Sequence, residues 1–286
     1  MAIREQQIDV GALSLHVTMA GDPKDPAVLL LHGFPQSSRL WKSYLEPLAA
    51  KGFHAIAPDM RGYGGSDKPH DVAAYATRHL IADQVGLIRA TGHERAHVIA
   101  HDWGGVVAWH LAARHPEVVD RLLILNAPHP DRMREALRES PAQLRRSWYI
   151  FAFQLPALPE RMLTRDGSMA RIFYGTCKDK SAFPKDEVAE YQRAIEKPGA
   201  ARGMLGYYRA AGRALGSRAE RARLPVITSP TLVLWGAEDV SLGLELTERL
   251  EHRVKDLTLE RVPGASHWVA DERPALVLER ASSFFA

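Results

Sequence analysis

The sequence predicts an α/β architecture: a mostly parallel, twisted sheet flanked by helices, with a helical cap inserted into it. Three observations carry that prediction. In the first half of the 286-residue chain, short apolar runs alternate with longer stretches whose apolar residues recur at helical spacing, the rhythm of strand–helix–strand units. Residues 27–31 are apolar throughout, as strands covered on both faces are. From about 130 to 224 the rhythm gives way to a helix-like stretch rich in arginine and aromatic residues. It is punctuated by prolines at 141, 156, 159, 184 and 198 and has no strand pattern.

The elements follow in order. Residues 13–19 alternate in strand fashion, and 27–31 end in the loop His32-Gly33-Phe34-Pro35. A helix pattern covers 41–51, closed by Gly52, and 54–58 is strand-like. Leu80, Val85, Leu87 and Ile88 sit at helical spacing within 75–90, closed by Gly92. The strand 96–99 leads through a sharp turn into a helix over 106–114, and 121–125 is again apolar. Strands are expected at 231–235 and 257–262, with helices at 243–253 and 274–284. The domains expected are a sheet core of 1–129 and 225–286 and a cap of 130–224. Substrates of open α/β sheets bind beyond the carboxyl ends of the strands, where a cap would roof the pocket and exclude water.

Composition narrows the function classes. With 46% hydrophobic and 25% charged residues, the chain can fill one large core. No apolar run approaches the roughly 18–20 residues of a transmembrane helix. Residues 1–6 lack a basic head followed by an apolar segment, so no secretory signal is expected. The single cysteine, Cys177, fits a reducing cytoplasm and reads as inert packing. The net charge of +3 is mild. Arginines gather in 132–146 and 213–223, but acidic Glu135 and Glu139 are mixed in and no aromatic residues interleave with a basic stripe. These segments read as solvated helix faces, and no nucleic-acid partner is expected. Gly62, Gly64 and Gly65 fit neither a Walker loop nor a dinucleotide fingerprint and read as a turn. No ligand spacing for a metal repeats, and no cofactor is implied.

The chemistry centres on Ala100-His101-Asp102-Trp103-Gly104-Gly105, between a strand and a helix. Small residues two positions to either side of Asp102 suit a turn so sharp that it thrusts the central side chain above the sheet. An ionised Asp there can attack a saturated carbon and form an alkyl ester, since a carboxylate with an unperturbed pKa of about 3.9 needs no base. An N-cap role for Asp102 is the plainer alternative. Asp239 follows the strand 231–235 and competes with neighbouring Glu238, and His267 follows the strand 257–262. The chain order is nucleophile, acid, histidine. His267 would take a proton from the water that attacks the ester, and Asp239 would orient it. The oxyanion that then develops needs donors, expected from the backbone N–H groups of Trp103 and Phe34. Asn126 reads as pocket support, His32, His101 and His129 as local hydrogen-bonders, and Trp148, Phe151 and Phe153 as cap core or pocket wall.

These motifs, with HGFPQSS at 32–38, APDMRGYGGSDKP at 57–69, LNAPHP at 125–130, WGAED at 235–239 and GASHW at 264–268, resemble the α/β-hydrolase superfamily and within it the soluble epoxide hydrolases. The Asp-Trp pair and Phe34 are its narrowest signals. The resemblance implies hydrolysis of a small apolar epoxide by water. It further implies that two cap tyrosines hydrogen-bond the epoxide oxygen and protonate it as the ring opens. By the family's spacing these are Tyr149 and Tyr208, with Tyr207 as the fallback for the second. Phe34, Trp103 and Phe153 would bind substrate. A homodimer is left open. The alternatives are a haloalkane dehalogenase using the same Asp, whose relatives usually carry Asn where Phe34 stands, and a non-catalytic ligand-binding protein on the same fold.

Overall fold

The computed structural model of the protein describes residues 2–214 and 222–286. Eight strands form one sheet: β1 (Arg4–Asp9), β2 (Ser14–Ala20), β3 (Ala27–Leu31), β4 (His54–Pro58), β5 (Ala96–His101), β6 (Val119–Leu125), β7 (Thr231–Gly236) and β8 (Leu257–Val262). Their order across the sheet is β1-β2-β4-β3-β5-β6-β7-β8. The first two pairings, β1 with β2 and β2 with β4, are antiparallel, and every later pairing is parallel. Successive side chains of a strand point to opposite faces, which splits the buried runs between two cores. Leu29, Leu31, Val98, Leu122 and Ile124 pack on one face with Leu87, Val107 and Leu111. Val28, Leu30, Ile99, Leu123 and Leu125 pack on the other with Leu45, Leu48 and Val277.

The helices covering these faces are α1 (Lys42–Ala50), α2 (Thr77–Ala90) and α3 (Trp103–Arg114). Between β6 and β7 lies a helical insertion of α4 (Pro130–Glu139), α5 (Pro141–Arg146), α6 (Trp148–Ala152), α7 (Leu158–Leu163), α8 (Ser168–Thr176), α9 (Lys185–Glu196) and α10 (Ala200–Ala214). The chain closes with α11 (Val269–Glu272) and α12 (Pro274–Phe285). Because β3, β5, β7 and β8 run parallel, the loops after Leu31, His101, Gly236 and Val262 all emerge at one sheet edge.

One strand is unanticipated and three expectations need correction. Strand β1 is absent from the sequence reading; its pattern Arg-Glu-Gln-Gln-Ile-Asp buries only Ile8, so it carries no apolar alternation. The helix expected at 243–253 is two short 3-10 turns, Leu244–Thr247 and Leu250–His252, separated by Arg249 at φ 59°. Arg132 is no solvated side chain. It is buried beneath Glu139 and Glu135, and its Nε donates to the Glu245 carbonyl at 3.0 Å. Phe151 belongs neither to a core nor to a pocket wall, because it is exposed. Two of the four arginines of the second group, Arg218 and Arg221, lie outside the described residues.

Candidate active site

Asp102 sits at the turn between β5 and α3 with φ 50° and ψ −121°, a conformation that costs a non-glycine residue on the order of 1–3 kcal/mol. The turn needs small neighbours. A Cβ on Gly104 would lie 2.4 Å from the Leu31 carbonyl oxygen, and one on Gly105 would lie 2.2 Å from the Ala127 methyl. The carboxylate itself rests against Gly33, where a Cβ would come within 2.3 Å of Oδ1. From the same loop the Phe34 N–H donates to Oδ1 at 2.7 Å. Burial raises the Asp102 pKa; the charge of His267 and hydrogen bonds from the N–H groups of Trp103 and Phe34 pull against that rise. The two donors expected for an oxyanion thus already hold an anion, the Asp102 carboxylate.

His267 Nδ1 bonds Asp239 Oδ2 at 2.8 Å, while its Nε2 lies 3.6 Å from Asp102 Oδ2, beyond hydrogen-bond length. Asp239 is buried and its oxygens are filled. Oδ1 accepts the N–H groups of Ser241 and Leu242 at 2.8 and 2.9 Å, and Oδ2 also accepts Asn126 Nδ2 at 2.9 Å. Asn126, read as pocket support, therefore supports the acid, and its Oδ1 takes the Gly236 N–H at 2.7 Å. Glu238 instead faces outward to Lys178. Beneath the histidine, His101 Nε2 bonds the His267 carbonyl at 2.9 Å. Burial opposes a charge on His267, but the charge of Asp239, the hydrogen bond to it and the charge of Asp102 outweigh burial and raise its pKa to about 9.

That shift has a consequence for stability. The folded pKa lies above the unfolded value of about 6.5, so the contribution is fully present below pH 6.5 and is lost as pH rises through about 9. Urea unfolding should show a loss on the order of 3 kcal/mol across that window. Asp239→Asn should flatten the loss, and an unchanged pH slope in that variant would refute the coupling.

The insertion faces this edge with aromatic side chains. Tyr208 of α10 stacks edge-on against Trp103, Phe34 and Phe153, with ring centroids 5.0, 5.6 and 5.0 Å away, and Tyr149 of α6 lies 6.1 Å from it. Burial and the charge of Asp102 hold both phenols well above their usual pKa, so both stay protonated. Tyr207 is turned away, its hydroxyl donating to the Arg61 carbonyl at 2.8 Å. Asp102, Tyr149 and Tyr208 are shared by two cavities of about 230 and 540 Å³. The smaller arm follows Trp103, Val106 and His110 along α3; the larger is lined by Phe34, Phe153, Trp148, His267 and Trp268. A carboxylate with two backbone donors, an oriented imidazole and two neutral phenols around one apolar space can bind a compound bearing a basic oxygen, form an ester and hydrolyse it.

Comparison with known proteins agrees with that geometry. Residues 26–274 match the alpha/beta hydrolase fold family. The chain is 38% identical to AB hydrolase superfamily protein YfhM of Bacillus subtilis, over 96% of this chain and 95% of that protein. It is 34% identical to Epoxide hydrolase 3 of Xenopus tropicalis, over 92% of this chain and 72% of the relative. The chain belongs to the epoxide hydrolase family of α/β hydrolases. A solved structure described among novel epoxide hydrolases from metagenomes of hot environments superposes with a TM-score of 0.87 at 34% identity, covering 100% of this chain and 99% of that one.

Two contacts of this family member carry no signal in the sequence. Gln36, two residues past Phe34, donates from Nε2 to both oxygens of Asp271 at 3.1 and 3.2 Å, tying the Phe34 loop to the segment after His267. Burial and the nearby charges of Glu272 and Glu187 raise the Asp271 pKa. Glu272 accepts the N–H groups of Lys178 and Asp179 from the insertion at 2.6 and 3.1 Å, and also the N–H and hydroxyl of Ser266, beside His267, at 2.6 and 3.0 Å. It joins the insertion to the histidine loop. Gln36 and Asp271 lie 235 positions apart, and no local spacing signals such a pair.

Proposed function

We propose that this protein hydrolyses a small apolar epoxide to a vicinal diol through a covalent ester on Asp102. The observation that carries this reading is the placement of Tyr149 and Tyr208, both protonated, in the two cavities that also contain the Asp102 carboxylate. An alkoxide in an apolar pocket is a poor leaving group unless a donor meets it, and a neutral phenol does so without charging the pocket. Residues 130–224 act as the cap over a core of 1–129 and 225–286, with Trp103, Phe34 and Phe153 against the substrate.

Asp102 attacks one ring carbon, the C–O bond breaks, and the oxygen takes a proton from a tyrosine. The tyrosine's proton is replaced from the His267 imidazolium, directly or through water. Esterification removes the charge of Asp102, one of the charges that raise the His267 pKa, so the histidine loses its proton more readily at the stage where a base is needed. Neutral His267 then takes a proton from water, the hydroxide adds to the ester carbonyl, and the N–H groups of Phe34 and Trp103 receive the oxyanion. Collapse releases the diol and restores the carboxylate. The lone Cys177 keeps a reducing cytoplasm as part of this reading.

Single turnover of styrene oxide in ¹⁸O-water tests the mechanism. The label should enter the Asp102 carboxylate and leave the first diol unlabelled; labelled diol with unlabelled protein would reject the ester. Tyr149→Phe or Tyr208→Phe should slow alkylation roughly tenfold, and the double variant by about 10²–10⁴. Stopped-flow tryptophan fluorescence can follow this, and a double variant as fast as the parent would remove the tyrosines from the mechanism.

A further inference from the structure

Leu144, Trp148, Phe151, Leu155, Leu158 and Met162 recur along residues 144–162 as a sequence stripe of large apolar side chains, carried by three short helices rather than one continuous helix. They run over α5, α6, the following loop and α7, and all six are exposed, Trp148 by 67% and Met162 by 60%. Among the described residues nine large hydrophobic side chains are exposed; six form this stripe, and a seventh, Val240, lines the same large cavity. Tyr149 and Phe153 take the other side of this segment, towards Asp102. Leu144 and Phe151 lie outside the wall of that cavity, so the segment exposes more apolar surface than the cavity uses.

Charge and continuity say what meets the outer face. Residues 141–176 carry five arginines against two carboxylates. Arg145, Arg161 and Arg165 are exposed, and none takes part in an ion pair among the described residues. One of the two carboxylates, Glu160, is held by Arg209. Exposed tryptophan, phenylalanine and leucine flanked by arginine is the composition of segments that lie in a lipid interface. Trp148, Leu155, Leu158 and Met162 belong at once to the stripe and to the wall of the 540 Å³ cavity, so the cavity opens within the patch. A second copy of the chain seated there would close that opening, whereas a bilayer surface leaves it facing the apolar phase. No helix among the described residues is long and apolar enough to cross a membrane, so contact would be peripheral.

We propose that the outer face of residues 144–162 docks on an anionic lipid surface, from which an apolar epoxide enters the large cavity without crossing water. The route rests on the epoxide reading above; the docking does not. The test is co-sedimentation of the full chain with phosphatidylcholine vesicles containing or lacking phosphatidylglycerol, alongside turnover of a water-soluble epoxide. Association should rise with phosphatidylglycerol and fall in high salt. Leu144→Ser with Phe151→Ser, which lie outside the cavity wall, should weaken association by roughly tenfold for each side chain that had been buried, with soluble-substrate turnover unchanged. Arg145→Gln, Arg161→Gln and Arg165→Gln should each weaken it roughly fivefold, which tests docking independently of any folding defect in the serine variant. Failure to sediment with phosphatidylglycerol vesicles, or sedimentation indifferent to the arginine changes, would overturn docking. So would self-association of the parent that the serine changes abolish while vesicles bind neither form. Loss of epoxide turnover in the parent with vesicle binding intact would overturn only the catalytic reading.

Discussion

His267→Gln is expected to consume one equivalent of epoxide per chain and then stop, with the protein heavier by the mass of the substrate. Glutamine fills much of the same space, but its amide cannot take a proton from water. Asp102 keeps the N–H groups of Phe34 and Trp103 on its carboxylate, so alkylation should survive while hydrolysis of the ester loses its base. General-base catalysis contributes about 10²–10⁴ in rate, and steady-state turnover should fall within that range. His267 Nε2 is 3.6 Å from Asp102 Oδ2, close enough to activate a water at an ester there and too far to hold the carboxylate by a hydrogen bond. Intact-protein mass spectrometry after a single addition of epoxide decides the matter. A variant that consumes no epoxide at all would mean that His267 acts before the ester forms.

Gly33→Ala should be nearly as damaging although the residue bears no side chain and takes no chemical part. A Cβ at this position would lie 2.3 Å from Asp102 Oδ1 and 2.4 Å from its Cβ, so either the loop or the nucleophile must move. Moving the loop withdraws the Phe34 N–H from its 2.7 Å contact. Loss of one such donor costs about 10²–10³ in rate, and crowding of a packed site costs about 1–3 kcal/mol in stability. If the donor serves the oxyanion of the proposed second step, hydrolysis of the ester should slow more than its formation. Burst and steady-state phases measured by rapid quench separate the two. Parent-like rates in both phases would take Phe34 out of the oxyanion role.

Most of what places the site was legible in the sequence because it is local. The buried strands β3 and β4 announce themselves by apolar runs and begin and end where the sequence expects them, as does the less buried β8. The small residues around Asp102, and Gly33 opposite it, mark close approaches that the fold makes. What was not legible depends on partners distant in the chain. β1 is polar and exposed, held by its pairing with β2. The 3-10 turns in place of a helix at 243–253 break at Arg249, whose positive φ no residue type announces. Arg132 reads as a surface residue until Glu248, more than a hundred positions away, joins Glu135 and Glu139 of its own helix around it. Tyr207 and Tyr208 are adjacent and chemically identical; the Arg61 carbonyl, 146 positions away, engages one and leaves the other beside Asp102.

The sheet interrupts itself between Leu125 and Thr231, yet β6 and β7 pair directly, Leu122 opposite Thr231 through Leu125 opposite Leu234. The whole insertion is thus, to the folding chain, one loop between two neighbouring strands. The entropy of closing a loop grows only logarithmically, about 0.6 kcal/mol for each doubling of its length. Lengthening, trimming or exchanging these helices is therefore thermodynamically inexpensive for the sheet, provided that the Lys178–Asp179 turn still reaches Glu272. Asp102, Asp239 and His267 belong to a scaffold that scarcely registers such changes, which leaves the helices facing them free to vary in length and composition at little cost to the sheet.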